Sequence, residues 1–353
     1  MILKVLNLDN LSDIKSYNSA LNSFKSENPY YKTEFIDTFS SGLNNAHAFM
    51  LLNVQEQVIV LMPFYIKKIE DYKSDEDYFD IISVYGYSGP LFYEDIDENL
   101  LQEFWKKVDE WYSVNNIVSE FIRFNLNNNC YGYSGHLIKT LSNIKGKIIE
   151  PIKQWENYDR KVRKNVNKAI SNNLKVNIYY QNITPEIVNT FYAIYVDTMN
   201  RTHAPKQFFY KKQKIESYIN KLKNRVVIAI TYKESTAISS ELILLSKTKM
   251  YSLLGGTMAN YFNLRPNDIL KHEVINWAFK KGFKYFILGG GHGSNDGIYR
   301  YKKSFFPNDI SVFYTGRKII NKKIYIELSR DLIKIDDTYN MDEDFFPIYR
   351  KTS

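Results

Sequence analysis

A chain of 353 residues with 44% hydrophobic and 16% aromatic residues is long enough for about two domains and apolar enough to bury real cores, which excludes a disordered chain. Its 47 Lys and Arg against 39 Asp and Glu give a net charge of +8, which fits a nucleic-acid, anionic-membrane or phosphate-bearing partner. One cysteine, Cys130, excludes an internal disulfide framework and fits a reducing compartment.

The opening MILKVLNLDNLSD has no basic segment followed by a long apolar one, so no signal peptide is expected. No run of about 18 uncharged apolar residues predicts a membrane span. A cytoplasmic protein is the expectation. The first clear element is FMLLNVQEQVIVLMPFYIKK (49–68), two apolar runs around the polar turn Asn53–Gln57, which reads as a strand hairpin. The loop GYSGPLF (86–92) follows. A helix over 98–113 then places Leu101, Phe104, Trp105, Val108, Trp111 and Tyr112 on one stripe, and EFIRFNL (120–126) reads as a strand.

In DRKVRKNVNKAISNNLKV (159–176), Arg160, Lys164 and Lys168 share one helical face, with Val162, Val166, Ala169 and Ile170 opposite. Four cations within five residues (Arg160, Lys161, Arg163, Lys164) make this rim a candidate anion site as much as a solvated surface. Its lack of interleaved aromatics argues against a single-strand stacking platform. RVVIAITYKESTAISSELILL (225–245) then restarts the earlier order with a second hairpin. The loop LLGGTMANYFNLRPN (253–267) follows, and after it a helix to Lys281. For that helix Asn267 is the expected cap, Asp268 the first-turn acid and Gly282 the left-handed stop. The strand FKYFILGGG (283–291) closes the repeat. Aligning residues 121–124 with 285–288 gives an offset of roughly 164 residues. Two copies are too few for a solenoid, so the chain reads as a duplicated α/β module.

The segment LGGGHGSNDGIYRYKKSFF (288–306) opens on Gly289, Gly290 and Gly291 directly after a predicted strand. Such a run lets a ligand or another backbone come close, or simply makes a tight turn. Position 294 is Ser, so no G-x-G-x-x-G is completed, and no P-loop follows. The five histidines (47, 136, 203, 272 and 292) show no metal spacing, and no metal is expected. Without a G-x-S-x-G elbow or an evident histidine partner for Cys130, covalent catalysis is not indicated.

Four pieces in order resemble the Fem family of aminoacyltransferases (FemABX), within the GNAT-like acyltransferase superfamily. They are RKVRKNVNKAISNNLKV as the basic helix, YSLLGGTMANYFNLRPNDILKHEVINWAFKKGFKYFILGG as the glycine-pair block, Asp296 at an acidic position, and IYRYKKSFF (298–306) near the family's lysine signature. The match covers roughly residues 155–315 well and the first half more loosely. It implies an α/β (α+β) fold of two tandem GNAT-like acyltransferase modules, each a mixed sheet flanked by helices, over 1–150 and 151–353. It also implies an acyltransferase that forms an amide on an amine of a nucleotide- or lipid-linked envelope precursor. Lys302 takes the signature position, where it would stabilise negative charge on the acyl oxygen or hold a donor phosphate. Asp296 would orient the amine or take its proton, or else make an Asx turn with Gly297. Arg160, Arg163, Lys164 and Arg265 are the phosphate-binding candidates, and Tyr251 and Thr257 would line the cleft.

The chain departs from the pattern at Phe306, where the signature commonly ends in glycine. SKTKM (246–250) leaves no room for the helical arm of many tRNA-using members, and the pyrophosphate pattern Q/R-x-x-G-x-G/A is absent in clear form. No permanently bound cofactor is implied; the donor is aminoacyl-tRNA or acyl-CoA. The expected partners are a phosphate-bearing envelope precursor and tRNA, with a peripheral contact at the inner membrane face, no DNA, and a monomeric protein. Two other readings stand beside it: an acyl-CoA-dependent N-acyltransferase acting on a surface-polysaccharide sugar, and a non-catalytic RNA or anionic-polymer binding module. The tail after Gly316, KKIYIEL followed by the acidic DEDFFPIY, is expected to add a strand or helix to one module.

Overall fold

The computed structural model describes residues 1–70, 72, 75–335, 340 and 345–351. Along the first half run β1 (Ile2–Asn7), α1 (Leu11–Ser23), α2 (Thr33–Phe39), β2 (Ala46–Leu52), β3 (Val58–Lys68), β4 (Phe79–Ser83), α3 (Glu98–Val114), β5 (Ile117–Arg123) and β6 (His136–Lys147). Then come α4 (Pro151–Asn157), α5 (Arg160–Ser171), β7 (Leu174–Tyr180), α6 (Pro185–Arg201), α7 (Lys212–Lys221), β8 (Val226–Lys233), β9 (Thr236–Leu245) and β10 (Lys249–Thr257). The chain continues through α8 (Pro266–Lys280), β11 (Tyr285–Gly289), α9 (Gly297–Phe305), β12 (Ile310–Ile319) and α10 (Lys322–Ile335).

The chain forms two units, each a mixed sheet with helices. One comprises Met1–Ser26, Tyr30–Thr140 and Val312–Ser353; the other comprises Glu27–Pro29 and Leu141–Ser311. In the first, the strand order is β1-β2-β3-β4-β5-β12; in the second it is β6-β11-β10-β9-β8-β7. Both contain the same core: three antiparallel strands, then a helical crossover to a parallel strand, β2-β3-β4-α3-β5 and β8-β9-β10-α8-β11. The duplication legible in the sequence is therefore a duplication of topology.

The units do not follow chain order at their ends, which corrects the expected 1–150 and 151–353 boundaries. β12 pairs antiparallel with β5 (Thr315↔Arg123 to Ile319↔Ser119), and this draws the chain from Val312 into the first unit. β6 pairs antiparallel with β11, so the second unit begins at Leu141. A strand belongs where its backbone donors and acceptors are satisfied, and sequence order does not decide that. KKIYIEL forms the start of α10 in the first unit, while Asp342, Glu343 and Asp344 lie outside the described residues.

The apolar stripe of α3 behaves as its spacing requires. Leu101, Phe104, Trp105, Val108 and Tyr112 are buried against Phe49, Phe64 and Ile81 of the sheet. Each such side chain removed from water is worth about 1.5–3 kcal/mol. The Asp97 side chain caps this helix by accepting from Asn99 N. In the second unit, Val162 and Val166 of α5 join Leu270, Val274 and Ile275 of α8 and Phe305 of α9 in one core. Ile170, expected on that stripe, is 53% exposed. Among the described residues, no helix is long and apolar enough to cross a membrane.

Candidate functional site

The segment expected as a loop from Leu253 is instead the second half of β10. Its glycine pair meets two neighbours: a Cβ at Gly255 would lie 2.9 Å from the Ser240 carbonyl of β9, and Gly256 faces the helix above it. A Cβ at Gly256 would lie 2.4 Å from Thr198 Oγ1 and 2.7 Å from the Ile194 carbonyl of α6, so only glycine lets α6 pack this close. β10 and β11 are paired in parallel over Lys249↔Tyr285, Met250↔Phe286 and Tyr251↔Ile287, and then they part. A bulge against β9 at Ser252/Leu254 marks the point. From Ser252 to Thr257, the β10 edge facing away from β9 carries no strand partner among the described residues, and at its end α6 takes part of the backbone, Thr257 N donating to Thr198 Oγ1 (3.1 Å).

Charged groups converge at the base of this opening. Glu241 of β9 and Lys271 of α8 form an ion pair at 2.6 Å with side chains only 5% and 6% exposed. The Ser252 hydroxyl also donates to Glu241, and the Lys271 ammonium lies 4.9 Å above the Phe286 ring. Half-buried Lys302 on α9 donates from Nζ to the Gly290 carbonyl at 2.6 Å. Burial, reinforced by the nearby Lys271 ammonium and opposed by Glu241 and Asp296, lowers the Lys302 pKa to about 8. A lysine so placed is still mostly protonated at neutral pH and is close to its titration midpoint.

Asp296 turns out to be a helix cap. Its carboxylate accepts from Tyr299 N (2.7 Å), His292 N (2.6 Å) and Gly293 N (3.2 Å), and those bonds, the Tyr299 one foremost, hold its pKa below the usual carboxylate value. Gly291 is needed beside it, since a Cβ there would sit 2.1 Å from Asp296 Oδ1. Gly289 ends β11 in the left-handed region, and Gly290 supplies the carbonyl that Lys302 holds. The glycine run, Asp296 and Lys302 are thus one local assembly around the start of α9.

The other expected residues separate. Arg160 and Lys164 are exposed on α5. Arg163 turns toward α4, where its Nη1 donates to the carbonyls of Trp155, Glu156 (2.9 Å) and Tyr158 at the C-terminus of that helix. These are the acceptors a helix end leaves unpaired. Arg163→Ala is therefore expected to cost about 1–3 kcal/mol in a urea unfolding series, while Arg160→Ala leaves the midpoint unchanged. Arg265 is exposed with φ 63°, and it stands immediately before α8, whose first residue is Pro266. Asn267 therefore lies inside the helix and does not cap it, because proline at the first position fixes the start one residue earlier. Gly282 does take the left-handed conformation expected after the helix. Tyr251 is buried in the sheet core, where burial raises its pKa, and half-buried Thr257 bonds Ser239 Oγ (2.8 Å) through its hydroxyl and Thr198 Oγ1 (3.1 Å) through its backbone N.

Sequence reasoning missed Glu241, Lys271 and Ser252. The signal was present: Glu241 interrupts the apolar run ISSELILL, and Lys271 falls beside Ile269 and Leu270 on the buried side of α8. A charge on a face that must be buried needs a partner. His272 packs between Trp155 and Tyr158, and burial lowers its pKa to about 4, so it is neutral near pH 7. Among the described residues, no group of three His, Cys, Asp or Glu could hold a metal ion.

The two units also differ in charge. The second contains 28 Lys and Arg against 13 Asp and Glu, a net +15; the first has 19 against 26, a net −7. The opening between β10 and β11 thus lies in the strongly cationic unit.

Residues 160–303 match the family model described as an acetyltransferase (GNAT) domain. Over 92% of this chain and 99% of its own, the crystal structure of FemX is similar, with a TM-score of 0.61 at 11% identity. The structure of L-PGS from Bacillus licheniformis is similar over 94% and 99%, at 0.57 and 12%. A tandem GNAT protein from the clavulanic acid biosynthesis pathway is similar over 90% and 98%, at 0.50 and 6%. No curated protein matches the chain by sequence. Residues 160–303 thus match a GNAT acetyltransferase domain, and the chain has the fold seen in FemX and in the tandem GNAT protein.

Proposed function

We propose that the protein transfers an acyl group from aminoacyl-tRNA to an amine of a phosphate-bearing cell-envelope precursor, forming an amide. The observation that carries this reading is the Lys302 ammonium, half-buried on the Gly290 carbonyl just past β11 and near the Glu241–Lys271 pair. In the reaction the amine lone pair attacks the acyl carbonyl carbon, and Lys302 donates a hydrogen bond to the oxygen as it becomes negative. The carbon–oxygen bond to the donor ribose then breaks, and the departing oxygen takes the proton lost by the amine. The open edge of β10 offers backbone groups to an extended substrate, which supplies positioning without a covalent intermediate. Asp296, ionised and held by three backbone donors, acts as a positioning residue for the loop that Lys302 grips.

The charge of the second unit supports a polyanionic donor, since closely spaced phosphates bind cationic surfaces through counterion release. Arg160, Lys164 and Arg265 are the exposed cations we assign to it. A second reading, acyl-CoA as donor, is favoured by the match of residues 160–303 to the acetyltransferase domain. Incubating the enzyme with a UDP-linked amine acceptor and either charged tRNA or acetyl-CoA, and following the acceptor by mass spectrometry, decides between them. Product with acetyl-CoA alone would overturn the tRNA assignment, and product with neither would overturn both.

The pH dependence follows from Lys302. Only the protonated amine can donate to the oxyanion, and its pKa lies near 8. The turnover number is therefore expected to fall with rising pH along a one-proton limb centred near 8. Lys302→Arg, whose guanidinium does not titrate in this range, removes the limb while retaining part of the rate. A profile flat from pH 6 to 10 in the wild type contradicts the role.

A further inference from the structure

The registers of the second sheet gather one set of strand ends. β6 finishes at Lys147, opposite Tyr285 at the start of β11, and Lys249 at the start of β10 pairs with the same Tyr285. The end of β9 and the start of β8 join them through Met250↔Leu245 and Val226↔Leu244. Backbone bonds close the group: Lys284 N donates to the Thr248 carbonyl (2.8 Å), and Ile148 N donates to that of Lys284 (2.9 Å). The parting of β10 and β11 lies at the other end of these strands, beyond Tyr251 and Ile287.

Exposed lysines reach this end from four separate segments. Lys147 and Lys153 flank the start of α4, Lys223 precedes β8, and Lys247 stands in the turn between β9 and β10. Lys280, Lys281 and Lys284 surround Gly282 after α8. The left-handed Gly282 brings Phe283 back onto Trp277, their rings stacked at 5.8 Å, while Phe279 stays outside. Two apolar side chains stand among these charges: Ile152 of α4 is 69% exposed and Phe279 of α8 is 40% exposed. Trp155 meets the His272 ring at 5.3 Å, which places α4 against α8. The acids of this region are mostly engaged. Glu150 caps α4 through Ile152 N and Lys153 N, Asp309 accepts from Lys147 N (2.8 Å), and Glu27 is held by Arg225. Glu156 lies one turn beyond Lys153, and half-buried Glu273 lies two turns before Lys280.

An ammonium is a point charge that suits a diffuse negative surface, whereas recognition of single phosphates favours the arginine fork. Arg225, beside Lys223, already has its fork on Glu27 at 2.7 and 2.8 Å. Protruding apolar side chains within a cationic surface gain nothing from a polyanion's phosphates, and they gain burial at a lipid interface. We propose that this end of the second unit docks on an anionic lipid bilayer, with Ile152 and Phe279 entering the boundary between headgroups and acyl chains and the lysines lying on the headgroups. The inference stands apart from the acyl-transfer reading. The opening between β10 and β11, at the opposite strand ends, is left clear of the bilayer.

Sedimentation of the full chain with vesicles tests the docking without any turnover. Binding is expected to phosphatidylcholine vesicles containing roughly one third phosphatidylglycerol and not to phosphatidylcholine alone, and added salt weakens it. Lys280→Gln combined with Lys281→Gln lowers the partition coefficient about 25-fold, at about fivefold per lysine near an anionic surface. The same exchange at Lys168 and Lys175, exposed lysines of α5 and β7, lowers it by about threefold or less, because Lys175 starts β7 at the other end of the sheet. Ile152→Ser and Phe279→Ser weaken binding to the anionic vesicles and leave its salt dependence unchanged, since they remove insertion and not charge. All of these side chains are exposed, so the variants unfold at the wild-type denaturant concentration. No binding to anionic vesicles, equal losses from the two lysine pairs, or binding unaffected by both serine variants overturns the proposal. A loss of tRNA binding by the Lys280 and Lys281 pair as large as its loss of vesicle binding assigns the face to RNA and also overturns it. Lys302→Ala should bind vesicles as the wild type does, so failure here is distinguishable from failure of the acyl-transfer reading.

Discussion

Lys302→Ala is expected to lower the turnover number by about 100- to 1,000-fold, the usual loss when one oxyanion donor is removed, equivalent to about 2.7–4 kcal/mol of transition-state stabilisation. The loss should appear in turnover more than in apparent substrate affinity, since the bond to the developing oxyanion strengthens only as the amine attacks. The fold should be retained. Lys302 donates to the Gly290 carbonyl, and its lowered pKa means that burial disfavours the charge it carries. Circular dichroism and unfolding of the variant beside the wild type separate the two effects. A variant with unchanged turnover would sink the assignment of Lys302 and, with it, the carry-over from the family signature.

The second large effect concerns Glu241 and Lys271. Lys271→Met leaves a carboxylate in the core with the Ser252 hydroxyl as its remaining partner, and breaking a buried pair from one side costs about 3–5 kcal/mol. Glu241→Gln should cost a similar amount by stranding the ammonium above Phe286. The double variant should recover most of the loss, because a neutral pair carries no uncompensated charge; a chemical-denaturation cycle reads the coupling directly. Single variants that lose less than about 1 kcal/mol would mean that water already reaches the pair. The same substitution acts on Lys302. The Lys271 ammonium depresses the Lys302 pKa and Glu241 raises it, so removing Lys271 alone should move the alkaline limb of the rate profile to higher pH. That displacement ties the buried pair to the reacting group by electrostatics as well as by support.

Arg163 illustrates how residues of one sequence motif can find different partners in the fold. Four cations in five residues looked like one anion-binding rim, yet Arg163 turns back to satisfy the last carbonyls of α4 while Arg160 and Lys164 face solvent. Spacing along a helix gives the face a side chain starts from. Which acceptors a long flexible side chain finds depends on the neighbouring element. Asp296 carries the same lesson in the other direction. Its two readings, amine partner or local turn, were equal in the sequence, and three backbone donors now hold the carboxylate at the start of α9.

The sequence by itself determined the duplicated order of hairpin, helix and strand, the buried stripe of α3, the left-handed stop at Gly282 and the neighbourhood of Lys302 with its glycines. These are local or periodic properties, fixed by side-chain pattern and backbone sterics within a few residues. Tertiary structure alone decided that β12 completes the first sheet, that β10 and β11 part after Tyr251 and Ile287, and that Glu241 meets Lys271 at the base of that opening. Each of these depends on a pairing between segments far apart in the chain. Hydrogen-bond complementarity and charge compensation choose such partners in space, and no window of sequence contains both sides of the bond.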